Sequence, residues 1–218
     1  MSQHTLILLR FTYKKLKEKL TVSDSKKLFH EKFPYVIPGL YKRIVDEMLV
    51  ELNLLNHQKE FSQDNLFCIG PTETFKELMK GYKPEKHLEL LFESLCCSTN
   101  FEAKDINEIS QKSQKEFENK TSNDILKLLI EKSNSKLYPS RILNLGIYIL
   151  ISNAQDLKEK DESETNKMIS DIFEKLKLST NKAEKDIGIY KSSISKMEQA
   201  KELIEELRTK EKKKELKQ

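Results

Sequence analysis

Arg141 to Ser152 is the stretch that most narrows the fold. Ile142, Leu143, Leu145, Ile147, Tyr148, Ile149, Leu150 and Ile151 make it apolar nearly all the way round a helix. Such a helix has no face to give to water, so other helices must surround it. Pro139-Ser140 opens it, and Gly146 within it suits a close crossing by a neighbour. It is not a membrane span, because the apolar run Leu145 to Ile151 is only about a third of the roughly 20 residues a span requires.

The remaining periodicity supplies the surrounding helices. The strongest amphipathic stretch is Pro38 to Leu55, with Leu40, Tyr41, Ile44, Val45, Met48, Leu49, Leu52 and Leu55 on one wide face. Its polar side carries Arg43, Glu47 and Glu51, four apart and so in one row. That row has two readings, a solvated helix face or a row that meets another helix or a partner protein. Ahead of it, Ser23 or Asp24 can cap a helix from Lys26 to Phe33. After it, Phe61 to Ile69 lacks a helical period and reads as an ordered crossing loop, with a helix from Pro71-Thr72 to about Lys80. Gly81 fits the cap of that helix, and Pro84 opens the next, Glu85 to Cys97. Asn100 can cap a helix through Phe117, and Ser122 or Asn123 one from Asp124 to Glu131. Gln155 to Thr165 reads as a charged surface linker before a helix from Asn166 to Leu176.

From Lys182 onward no proline interrupts the chain. Ala183, Ile187, Tyr190, Ile194 and Met197 alternate in steps of four and three, the spacing of a coiled-coil seam. The seam predicts a coiled coil or a long arm; the alternative is a helix packed along the bundle. The expected organisation is all-α: a basic extension over residues 1–20, a main helical bundle over 21–155, a charged linker and helix over 156–181, and a C-terminal coiled-coil helix with a basic tail over 182–218. Five glycines and five prolines in 218 residues agree with long helices rather than a turn-rich β fold.

Charge and chemistry limit the function. The net charge of +4 is the sum of +4 in residues 1–20, +4 in residues 208–218 and −4 between them. The folded part is therefore slightly acidic, which argues against a nucleic-acid binder. Only the two ends can favour an anionic membrane surface, and weakly. Cys68, Cys96 and Cys97 are odd in number and form no C-x-x-C, as expected of free thiols in a reducing compartment. His4, His30, His57 and His87 show no metal-ligand spacing, so no metal and no cofactor is expected. There is no phosphate-cradling loop and no nucleophile elbow. Cys96-Cys97 sits at a helix end that disfavours a thiolate, and Glu47 with Glu51 beside Arg43 is a structural pair more readily than a catalytic one. Residues alone point to a soluble helical binding protein without catalytic residues.

A family resemblance adds to this. TVSDSKKLFHEKF at 21–33, YKRIVDEMLVELNLL at 41–55 and FKELMKGYKPEK at 75–86 resemble the thylakoid formation protein family, also called the photosystem II biogenesis 29-kDa protein. FESLCCSTNFEAKDINEISQKSQ continues the match, which covers Thr21 to Leu207 and is densest through Phe117. The resemblance implies a non-enzymatic accessory factor for thylakoid biogenesis and photosystem II assembly or repair, peripheral on the cytoplasmic face of the thylakoid membrane (the stroma in plastids). It also implies an FtsH-type membrane protease as partner, and possible contact with photosystem II subunits. The candidate contact residues are Arg43, Glu47 and Glu51, or the seam residues Ile187, Tyr190, Ile194 and Met197. The other reading is a structural protein that binds anionic lipid through its basic ends and self-associates through the coiled coil. The resemblance starts at Thr21, which leaves residues 1–20 as an addition.

Overall fold

The structure, a computed structural model, describes residues 19–59, 61, 65–132, 137–158 and 160–215. Those residues form nine α-helices and no strand: α1 Val22–Lys32, α2 Gly39–His57, α3 Asn65–Leu78, α4 Leu88–Ser98, α5 Ala103–Phe117, α6 Ser122–Lys132, α7 Arg141–Ser152, α8 Glu162–Lys175 and α9 Thr180–Glu215. Single 3₁₀ turns at Glu85–His87 and Gln155–Leu157 join α3 to α4 and α7 to α8. The expected all-α bundle with a long C-terminal helix is what the chain forms. The basic extension lies almost entirely outside the described residues.

The apolar stretch is the centre, as its composition requires. Nine of the twelve residues of α7 are buried, and its most extensive packing is against α3. The two helices cross at a pair of glycines. A Cβ on Gly146 would lie 2.7 Å from the Gly70 Cα, and one on Gly70 would lie 2.4 Å from the Ile142 carbonyl oxygen. Neither position has room for a side chain, so the backbones meet directly. On its other side α3 packs against α5, whose narrow seam of Ala103, Ile106, Ser110, Ser113 and Phe117 is largely small residues. Helices α1, α2 and α4 pack together, and α9 packs along α7 and α8.

Several boundaries differ from the periodicity. Helix α3 starts at Asn65 and carries Pro71 in its interior, where a helix start was expected. Proline cannot supply the amide bond to the carbonyl four residues back, yet burial of Phe67, Cys68 and Ile69 at 3% or less holds the turn before it helical. Thr21, not Ser23 or Asp24, caps α1, through a reciprocal box with Asp24. Thr121 bonds the Asp124 amide one residue ahead of the expected cap. Asn100 does not open α5 but closes α4: at a φ of 65° its amide bonds the Cys97 carbonyl and the Phe101 amide bonds the Cys96 carbonyl, and α5 begins at Ala103 after Glu102. Asp161 caps α8, so that helix begins at Glu162 and the linker is shorter than expected. Gly81 ends the α3 turn at φ 80°, in the left-handed conformation expected there.

The seam of helix α9 takes the second reading, a helix packed along the bundle, and the helix then continues beyond it. Ala183, Ile187, Tyr190 and Met197 are buried against the bundle, and Ile194 is partly buried. Farther along, Leu203, Ile204 and Leu207 are 58%, 42% and 51% exposed. The first half is a component of the core and the second half runs clear of it.

A charged groove along helix α2

The polar row of α2 is not simply solvated. Arg43 Nε donates to Glu47 Oε1 at 2.8 Å, and Arg43 remains largely exposed. Glu47 turns its other oxygen to Arg141 of α7, at 3.5 Å. Glu51 accepts a hydrogen bond from the Ile142 amide at 2.9 Å. That amide belongs to the first turn of α7, so Glu51 satisfies an end group that the helix cannot pair itself, and its charge suits the positive end of the helix dipole. Ser140 satisfies the Leu143 amide beside it at 3.1 Å. Burial wins over these favourable contacts. It pushes the Glu51 carboxyl up to about 7; the Ile142 amide, Arg141 and Lys182 pull it down, and Asp186 raises it.

Asp186 belongs to the same junction from α9. It accepts from Asn144 Nδ2 at 2.9 Å, within the buried interface of α7 and α9. Glu51 of α2, Arg141 and Asn144 of α7, and Lys182 and Asp186 of α9 therefore form one polar knot where three helices meet.

Over this knot lies an open groove of about 850 Å³, walled by α2, the segment leading into α7, and Lys182. Arg43, Glu47 and Glu51 all line it. Its apolar part is Val50, Leu54, Leu55, Tyr138 and Pro139, with Leu54 52% exposed. Arg141 lines it too, and its buried Nε has no hydrogen-bond partner among the described residues. A second groove of about 540 Å³ runs between α2 and α9, with Arg43 and Glu47 on the ridge common to both.

Thus Arg43, Glu47 and Glu51 come together at one surface. The seam residues add little to that surface: Ile187, Tyr190 and Met197 are at most 6% exposed, with Met197 at the wall of the groove between α2 and α9, and Ile194 is partly buried against the core. The periodicity left out Val50 and Leu54, two apolar residues four apart that do not belong to the buried face of α2. That misfit was their signal. Arg141 had one as well: a base in the first turn of a helix opposes the dipole unless an acid faces it. Among the described residues no cluster of His, Cys, Asp and Glu could hold a metal ion. Burial pushes the Cys96 thiol well above its usual range, away from a reactive thiolate. No described helix is long and apolar enough to cross a membrane.

Comparisons with known proteins agree with the resemblance seen in the sequence. Residues 21–218 match the family model described as thylakoid formation protein. The Thf1 protein of Prochlorococcus marinus strain MIT 9312 is 83% identical over 201 residues, covering 92% of this chain and all of the relative. Thf1 of the strain NATL1A is 42% identical over 84% of this chain and 94% of that protein. The solved structure of Psb29 at 1.55 Å superposes with a TM-score of 0.76 at 26% identity, over 89% of this chain and 98% of that one. The chain belongs to the thylakoid formation protein family.

Proposed function

We propose that the protein is a docking factor for an FtsH-type membrane protease, serving photosystem II assembly or repair at the cytoplasmic face of the thylakoid membrane. Family membership supports the coarser part, a non-enzymatic accessory role in thylakoid and photosystem II biology. The observation that carries docking is the α2 groove. Exposed Leu54 lies between fixed charges there, and an Arg141 nitrogen is without a partner among the described residues. An apolar centre within a polar rim is the usual build of a protein contact, and arginine is enriched among its strongest residues.

The test is affinity purification of the tagged chain from thylakoids at low and moderate salt. Protease subunits recovered at both salts from the wild type, and reduced at least about tenfold by Arg43→Glu with Leu54→Asp, are the expected result. Undiminished recovery with the folded double variant overturns the groove as the contact. Membrane material alone, lost as salt rises, favours instead a surface association through the basic ends.

A further inference from the structure

On a different face, α3, α4 and α5 enclose a groove of about 840 Å³. Its floor is apolar: Phe75, Met79, Tyr82 and Phe92 are all buried. Tyr82 is 1% exposed, and its hydroxyl has no hydrogen-bond partner among the described residues. An unpaired buried hydroxyl is a cost the fold carries, and a ligand that bonds it removes that cost.

The exposed rim charges that no ion pair balances among the described residues are Glu89 and Glu93. Glu85, Glu89, Glu93, Glu102 and Glu108 line the groove with three lysines, and of these acids Glu85 is paired with Lys83 and Glu108 with Lys104. Each lysine is already engaged: Lys76 with Glu73 at 2.8 Å, Lys80 with Glu77 at 2.6 Å, and Lys104 with Glu108 at 3.9 Å. Glu73 and Glu77 lie outside the lining, so two of the three lysines bring no net charge to it. Glu89 and Glu93 are exposed and one turn apart on α4.

The same chemistry continues onto α9. Lys201 donates to the Lys80 carbonyl and lies against Gly81, both of which line the groove. Just beyond it, exposed Leu203, Ile204 and Leu207 alternate with Glu202, Glu205 and Glu206. A second apolar surface with acidic flanks thus adjoins the first.

We infer that this groove is a second docking site, and that its occupant is an amphipathic helix of a partner protein with lysine or arginine flanking its apolar stripe. The apolar stripe meets the aromatic floor. Basic residues one turn apart meet Glu89 and Glu93, which share that spacing. An anionic lipid surface is repelled by the same rim.

The test uses the full chain and a fluorescein-labelled helical peptide of about 18 residues, with leucines at helical spacing and lysines elsewhere. A twin peptide carries glutamate for lysine. The lysine peptide binds, and the glutamate peptide binds at least about tenfold more weakly at about 150 mM salt. Glu89→Lys with Glu93→Lys weakens the lysine peptide at least about tenfold, whereas Arg43→Glu on the α2 groove leaves it unchanged within about twofold. Amide shifts on binding cluster at residues 82–93. Equal affinity for the twin peptides, or for wild type and the folded double variant, overturns the inference. Binding only after removal of residues 1–18 overturns a partner as occupant and assigns the groove to this chain's own N-terminus. Self-association lost in the double variant overturns it in favour of a second copy.

Discussion

Glu51 shows how much one side chain's role depends on what lies above it. In the sequence it is the third member of an exposed-looking row, with Arg43 and Glu47. In the fold it sits over the first turn of α7 and is largely taken from water. Its carboxyl titrates near 7 in the folded chain, against about 4.5 in the unfolded one. A raised value means that folding favours the protonated form. That contribution is present in full below about 4.5 and is lost as pH rises through 7, and its size is on the order of 3 kcal/mol. Glu51→Gln keeps an acceptor for the Ile142 amide without the charge. Urea unfolding therefore finds the variant close to wild type at pH 4.5 and more stable at pH 8, by up to about 3 kcal/mol. A variant less stable than wild type at pH 8 would show the carboxylate to be needed there. Periodicity placed Glu51 on the polar side of α2 but could not tell which helix end lies over it. That depends on a contact ninety-one residues away in sequence.

Among elements, the crossing of α3 and α7 is where sequence reading was both strongest and weakest. The apolar circumference of α7 marked it as the centre, and Gly146 marked the crossing. The partner was missed because Pro71 reads as a helix start. Tertiary burial of Phe67, Cys68 and Ile69 outweighs the local cost of a proline inside a helix. Residues 65–70 gain their helical state from packing that no local pattern reports. Two substitutions separate propensity from packing. Gly146→Ala places a methyl 2.7 Å from the Gly70 Cα, and backbone cannot swing aside as a side chain can. Its better helix propensity is overwhelmed, and it destabilises by about 3 kcal/mol, read as a lower denaturation midpoint. Gly188→Ala in α9 meets nothing within 4 Å and stabilises by about 0.5–1 kcal/mol. If both changes stabilised the chain, propensity rather than contact would govern this bundle.

At the scale of the whole molecule, α9 joins two environments that a uniform seam concealed. The 4-3-4-3 spacing of Ala183, Ile187, Tyr190, Ile194 and Met197 is the same whether a helix pairs with a partner or with its own bundle. Burial alone separates the cases: it assigns Ala183, Ile187, Tyr190 and Met197 to the core and packs the partly buried Ile194 against it. An Ile187→Asp variant buries a charge beside Asp186, so it costs about 4 kcal/mol or more in stability. Loss of a partner in such a variant reports unfolding, not contact. The informative changes lie past Lys201, where residues 202–215 continue for about 20 Å with exposed leucines. Ending the chain after Lys201 removes no side chain that is buried among the described residues and keeps the contact of Lys201 with Lys80. Differential scanning calorimetry then finds the melting temperature within about 2 °C of the full chain, because surface changes away from special features rarely exceed about 0.5 kcal/mol. A fall as large as that of Ile187→Asp would make the outer half part of the folding unit. An unchanged melting temperature leaves Leu203, Ile204 and Leu207 with no role in stability.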